Sequence, residues 1–425
     1  MARADLQLEQ LFRQEAGRIC AWLARLLGPA RLDLIEDAVQ DAFGAALAQW
    51  PYEGTPHKPA AWLAIAARNK ALDRLKSGMR LDSIDPNDEA AAWRLGFSNP
   101  EEAGRPDDTL ALMFVACHPK LTAEEQAMLT LQTVCGFNAR QVARAFLLSP
   151  EAVTQRLVRA KRRIRDMKLA FAIPEGGELA ERLPGLLNAI YLLFSGGYSA
   201  PEGETLMREE RCAEALRLVR LLAAHPDTAS GETHALAALM CFHHARAAVR
   251  TGDEGELVLL KDQDRSLWDR RLLAQGFAHL KGASTSPVLT PLHLEAGIAA
   301  LHAAAGSFEA TDWAALCHHY DTLIELKDTP VVRLNAAIAR AYAEGPAAGL
   351  SELEALAGHA RLRAYAPYHA ARADLLLRLR RPAEARDALG EALRCPVNGA
   401  ERDYLTRRLA ECGHLAARAG AARLN

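Results

Sequence analysis

Residues 149–165 read SPEAVTQRLVRAKRRIR, and their spacing decides the fold class. Ser149 offers a hydroxyl to a first-turn amide, Pro150 suits the first helical position, and Glu151 complements the positive end of the helix dipole. Val153, Leu157, Ala160 and Ile164 recur at i, i+4, i+7 and i+11, which makes one apolar stripe on a helix. At ~100° per residue, Glu151, Gln155, Arg159 and Arg162 fall on the far side. Between 149 and 168, seven Lys or Arg stand against two acids, a local net charge of +5 in a chain of formal net charge −2. A helix with one buried face and one cationic face, carrying Glu and Gln near its start, has the layout of a helix laid in a DNA major groove.

The stretch before it, LTAEEQAMLTLQTVCGFNARQVARAFLL, predicts one amphipathic helix ending near Cys135-Gly136. A shorter helix follows from Asn138 as N-cap, with Val142 and Phe146 four residues apart. Two short helices and a tight turn make a helix-turn-helix. An isolated basic helix is usually a solvated face. Here the cap, the stripe, the partner helix and the charge agree on DNA.

Working outward, the chain has 425 residues, 50% apolar and 24% charged, ordinary values for two or three globular domains. Ala and Leu dominate and helical periods prevail, so the fold class is all-α. The eight cysteines are dispersed with no CxxC pair, which points to free thiols in a reducing compartment. Glu9, Arg13, Glu15 and Arg18 interrupt the apolar runs a signal peptide needs. No uncharged run approaches the ~20 residues that span a bilayer. A cytoplasmic protein without a membrane partner is expected.

Residues 1–78 predict three helices. In DLIEDAVQDAFGAALAQW, the residues Leu34, Ile35, Ala38, Val39, Ala42, Phe43, Ala46 and Leu47 form a broad buried face. Asp33, Glu36, Asp37, Gln40 and Asp41 cluster opposite, as a solvated face or a dock for a basic partner. WPYEGTPHKPA then breaks the helix. Residues 58–80 carry six cations (Lys58, Arg68, Lys70, Arg74, Lys76, Arg80) against Asp73 alone. Tyr52 in the preceding loop is placed to meet an unpaired base, whereas Trp62 is read as core. Residues 79–108 lose helical periodicity; the span 82–108 holds eight acids against two arginines and reads as a linker.

Taken in order, IEDAVQDAF, the Pro-rich loop, AWLAIAARNKALDRL, the linker and LTAEEQAMLTLQTVCGF…SPEAVTQRLVRAKRRI resemble an extracytoplasmic-function sigma factor of the sigma-70 family over about 1–168. The resemblance implies region 2 at 1–78, an acidic linker at 79–108 and region 4 at 109–170. It implies that Asp33, Glu36, Asp37, Gln40 and Asp41 bind the β′ clamp helices of core RNA polymerase, with region 4 on the β flap. Tyr52, Lys58, Lys70 and Arg74 would meet the −10 element of promoter DNA. Glu151, Thr154, Gln155, Arg156, Arg159, Arg162 and Arg163 would meet the −35 element.

Residues 171–425 read as stacked helical hairpins. Ala373, Ala385, Leu389 and Ala392 repeat the offsets of Ala337, Gly349, Leu353 and Leu356 at a period of 36 residues. Small residues at close crossings and a period near ~34 predict a tetratricopeptide-like solenoid, serving as a regulatory or interaction domain. YLLFSGGY and LLKDQDRSLWD resemble hallmark segments of sigma factors with such an extension. That group carries Asn-Glu before Gly-Tyr, where this chain has Ser195-Gly196. Tyr198, Asp262, Gln263 and Asp264 are candidates for contact with the sigma regions or with a protein or small-molecule partner. Ser266-x-x-Asp269 reads as a capping box for the helix that follows.

No GxxxxGK[ST], HExxH or GxSxG occurs, so no enzyme activity and no cofactor are expected. Cys241 with His243-His244, and Cys317 with His318-His319, have neighbours pointing ~100° apart on a helix and are read as ordinary helix residues, with no metal. The expectation is an alternative sigma factor that directs transcription initiation at specific promoters. The second reading is a helix-turn-helix regulator with ligand-sensing repeats, and an enzyme with a fused regulatory domain is a distant third.

Overall fold

The computed structural model describes residues 2–78, 105–146, 148–198, 205–252 and 255–421, with side chains at 2–14, 77–78, 144–145, 197–198, 205–210 and 414–421 outside the description. The described residues are helical, with one isolated backbone bridge, Thr251 to Leu257. They divide into two compact units, one of residues 1–198 and 210–228, the other of 199–209 and 229–425. No described helix is long and apolar enough to cross a membrane.

In the first unit, α1 (Ala2–Leu27), α2 (Leu32–Glu53) and α3 (Pro59–Gly78) pack on one another through Ile19, Trp22, Leu23, Ile35, Val39, Phe43 and Leu63. The buried face of α2 follows the apolar stripe with two corrections. Leu47 is exposed at 51%, and Glu36 is buried at 6%. The helix also runs through Pro51 to Gly54, which ends it at φ +86. A proline there forfeits a single hydrogen bond in the last turn, which the helix tolerates. Trp62 is half-buried rather than core and packs edge-on against Trp50, with centroids 5.4 Å apart.

The helix-turn-helix is built as the caps predict. Helix α4 (Pro106–Ala116) begins inside the stretch read as linker. Then α5 (Ala123–Leu129) starts from a reciprocal Thr122–Glu125 capping box and passes into a π-helical turn, Thr130–Val134, before Gly136 at φ +71. Asn138 and Gln141 cap α6 (Ala139–Phe146) reciprocally, each amide bonded at 2.9 Å. Ser149 Oγ accepts from the Ala152 amide at 3.2 Å to start α7 (Pro150–Met167), the opening stretch of the sequence. Its buried residues are Val153, Leu157, Ala160, Lys161 and Ile164.

The first unit is larger than the sigma-like segment. Helix α8 (Gly176–Tyr198) packs on α4 and α5, where Arg182 donates to the Phe114 carbonyl at 2.5 Å. Residues 210–228, the body of α9 (Thr205–Ala224) and the turn after it, belong there too. The compact units therefore do not part at 170–171. Gly196, at the departure from the Asn-Glu pattern, accepts from Arg211 Nη1 at 3.0 Å, and a Cβ there would stand 2.3 Å from Arg211 Nη2.

The second unit runs through α10 (Gly231–Ala245), α11 (Arg270–Ala283), α12 (Pro291–Ala304), α13 (Trp313–Leu326), α14 (Pro330–Ala343), α15 (Pro346–Ala355), α16 (Ala360–Arg363), α17 (Ala366–Arg378), α18 (Pro382–Arg394) and α19 (Gly399–Ala421). Consecutive long helices pack as neighbours, and several open with Pro at the first position, which presets the backbone and needs no amide partner. The repeat positions read from the sequence sit where helices cross. Ala337, Leu353, Ala373, Ala385, Leu389 and Ala392 lie in one core. A Cβ on Gly349 would come within 2.4 Å of Ala341 Cβ and 2.6 Å of the Ala337 carbonyl oxygen.

Gly349→Ala should therefore lower the thermal midpoint although alanine is the better helix former, since α14 and α15 must separate; a loss of ~1–3 kcal/mol is expected for such overpacking. Gly390→Ala in α18, with open space around it, should hold or raise the midpoint. Calorimetry of both variants checks the crossing.

Candidate nucleic-acid and polymerase interface

The outward face of α7 presents Glu151, Thr154, Gln155, Arg159 and Arg162, all exposed. The Thr154 hydroxyl turns back to the Pro150 carbonyl at 2.8 Å, and Arg159 Nε donates to the Gln155 carbonyl at 3.2 Å. Arg156 and Arg163 do something else. Arg156 pairs with Glu124, and Arg163 takes both carboxylate oxygens of Glu125. These pairs brace α7 against α5. The free cationic edge thus centres on Arg159 and Arg162, with Gln155 ahead of them.

In the first block, Tyr52 is 90% exposed at the end of α2. Lys58 lies in the turn ahead of α3, where its carbonyl accepts from the Trp62 amide at 3.1 Å, and Lys70 is exposed on α3. Arg74 faces α2, with its guanidinium bonding Asp37 at 2.7 Å and Asp41 at 2.9 Å. The Asp41 hydrogen bond is the main cause that raises its pKa. An arginine expected at DNA is, in this conformation, the cationic cover of the acidic face.

That face meets α7 as well. Lys161 Nζ bonds Glu36 and stands 3.5 Å from Asp33, and Arg165 reaches Asp33 at 3.8 Å. Both side chains of the Lys161–Glu36 pair are 7% exposed. Burial pushes the Glu36 carboxyl up to about 7, against the pull of Lys161, and Glu36 Oε1 has no hydrogen-bond partner. Asp33, Asp37, Gln40 and Asp41 remain partly or fully exposed at the rim. The structure thus brings together two helices that sequence reasoning places in separate functions. Lys161 is legible in principle, since it stands one i, i+4 step from Leu157 on the stripe.

In the second unit, the DQDR segment is a structural clasp. Asp262 ends a 3₁₀ turn, Gln263 is 8% exposed and donates to the Val258 carbonyl at 3.1 Å, and Asp264 caps the next turn through the Ser266 amide at 2.8 Å. The helix after it starts at Asp269, which accepts from the Arg271 and Leu272 amides, so Ser266 is not its cap. The intervening turn, closed by Asp264, takes the residues a capping box needs. Arg265, unmarked by the sequence reading, is the centre of the clasp. It donates to the carbonyls of His302 and Ala305 at 2.6 and 2.9 Å, bonds the Thr311 hydroxyl, and lies 5.2 Å from the Trp268 ring centroid. Tyr198 ends α8, and its side chain lies outside the described residues.

Comparison with known families agrees with the geometry. Residues 11–81 match sigma-70 region 2 and residues 111–164 match sigma-70 region 4. The chain belongs to the sigma-70 family. Residues 182–284 match a family of unknown function, DUF6596, which begins in α8 and runs through the DQDR clasp. An uncharacterized protein of Rhizobium meliloti (strain 1021) is 39% identical over 395 residues, 91% of each chain. No solved structure matches the chain. It is an RNA polymerase sigma factor of the extracytoplasmic-function type with a helical C-terminal extension, and it binds core polymerase and promoter DNA. The reading as a regulator that works without polymerase is not favoured.

For this sigma factor, substituting Gln155 should alter base preference at one or two −35 positions, by ~1–3 kcal/mol for each bidentate pair with a base that is removed. Arg162→Ala should weaken binding to all sequences alike and reduce the salt slope by ~1. Anisotropy titrations over a set of −35 variants at several salt concentrations separate the two outcomes.

Proposed function

We propose that the rim of α2, namely Asp33, Asp37, Gln40 and Asp41 with Glu36 at its centre, docks on the β′ clamp helices, while region 4 rests on the β flap. The observation that carries this reading is the concentration of carboxylates on one face of a helix whose other face is core. Tyr52, Lys58, Lys70 and Arg74 engage the −10 element, and the outward face of α7 reads −35. The sigma factor acts in the cytoplasm by binding alone, without catalysing chemistry. The extension regulates polymerase or promoter access.

Within the extension, a cavity of about 380 Å³ is lined by Phe308, Trp313, Tyr342 and Tyr404 with Asn335 on its wall. Trp313 stacks on Tyr342 with centroids 4.4 Å apart and planes 23° from parallel. An aromatic recess of this size with few polar groups suits a protein segment or small-molecule partner.

Asp37 is 57% exposed and outside the core, so Asp37→Arg should leave the fold intact and weaken core binding by ten-fold or more, on the order expected when a like charge replaces an attractive one. Unchanged affinity in a salt titration with purified core overturns the docking face. Removing residues 229–425, at the boundary of the compact units, should change promoter-specific transcription with purified components. Equal transcription by truncated and full-length proteins makes the extension a passive scaffold.

A further inference from the structure

The inner stripe of α7 is apolar at four positions and cationic at one. A stripe built only to hold the helix-turn-helix together has no use for an ammonium group, yet Lys161 is buried and directed at α2. It bonds Glu36, Asp33 lies 3.5 Å from it, and Arg165, one turn further on, supports the same Asp33. The seam around this pair is tightly drawn. Gly17 of α1 lies so close to the π-helical turn that a Cβ would sit 1.9 Å from the Val134 carbonyl oxygen. At its other end Arg25 of α1 bonds the buried Asp108 of α4 at 3.1 Å.

This arrangement has two consequences. Glu36 cannot accept Lys161 and a basic surface of polymerase at once, so α7 occupies the centre of the docking face. The DNA-reading face of α7 points outward and stays exposed, so the contact masks polymerase binding and leaves the −35 face open. The conformation is also incompatible with a promoter. Elements centred at −10 and −35 lie roughly 25 base pairs apart, or ~85 Å at ~3.4 Å per pair. Helix α3, at ~1.5 Å per residue, is only about 30 Å long, and α7 is in bonded contact with the α2 beside it.

We infer that Lys161 is a latch: in the free sigma factor the promoter-reading helix α7 masks the polymerase-docking face of α2 through Glu36 and Asp33, and core polymerase displaces it. The inference rests on the docking role given to that face. A buried ion pair suits a latch better than an apolar contact would. Its desolvation largely offsets its attraction, so the closed form is specified in register without being held shut. The apparent affinity for core is the intrinsic affinity reduced by the fraction of chains that are open.

The test uses the full chain. Lys161→Met keeps the length of the side chain but leaves Glu36 buried and unpartnered in the closed form, so that form loses population. Binding to purified core should tighten about ten-fold, while affinity for a −35 duplex stays unchanged. Labels on Lys76→Cys in α3 and Val158→Cys in α7, both exposed, report the separation directly, because the eight native cysteines are buried. A short distance in the free chain, lengthening when core is added and already lengthened in part by Lys161→Met, supports the latch. Equal or weaker core binding by a folded Lys161→Met chain overturns it, as does a label distance that core does not change. If Lys161→Met fails to fold, Arg165→Ala removes only the Asp33 arm and should give a smaller gain in the same direction; no gain overturns the latch. A chain that binds no core in any form removes the docking reading, whereas a short free-state distance released by Lys161→Met still supports the intramolecular contact.

Discussion

The ammonium of Lys161 and the carboxylate of Glu36 share a site from which water is almost excluded, and the first compact unit is organised around that fact. Charges in such a place must be paired, and the partners must come from elements that chain topology brings together. Here they come from the recognition helix and from the acidic helix of region 2. The Gly17–Val134 approach and the Arg25–Asp108 pair follow the same seam. In this closed form region 2 and region 4 therefore make up one compact unit, and α8 and residues 210–228 extend it beyond the sigma regions.

The extension is held by different means. Its helices start at prolines and cross at alanines and glycines, which lets backbones approach closely and leaves large side chains to fill the gaps. Its most polar segment is spent on closure. The guanidinium of Arg265 takes up carbonyls at the end of α12 that the helix itself leaves without partners, and the Trp268 ring covers it. DQDR is thus a fastening inside the second unit.

How much of this is legible from sequence depends on whether the signal is periodic. The stripe of α7, the Asn138 and Ser149 caps and the repeat offsets around Gly349 and Ala373 are repeating or local patterns, and the structure has them where the spacing puts them. Sequence alone leaves Glu36 in solvent with its acidic neighbours, because an isolated chain gives no hint that another helix will land on it. Charge alone sends Arg74 to DNA, and its partners Asp37 and Asp41 are more than thirty residues away. Ser266 looks like the cap that Asp269 in fact supplies, since the sequence does not reveal the 3₁₀ turn between them. The end of the first unit is invisible for a related reason: the helix break between Met167 and Gly176 reads as a boundary, and only tertiary packing shows that α8 belongs with region 4.

All eight cysteines are buried, and burial holds the thiols of Cys20, Cys117 and Cys135 far toward their protonated form. A protonated, enclosed thiol is a poor nucleophile, so the folded chain is chemically quiet toward oxidants and alkylating agents. Cys20 is the informative case, because its thiol feels both Glu36 and Lys161. The folded sigma factor thus keeps its eight sulfurs out of reach of reagents that act on exposed thiols.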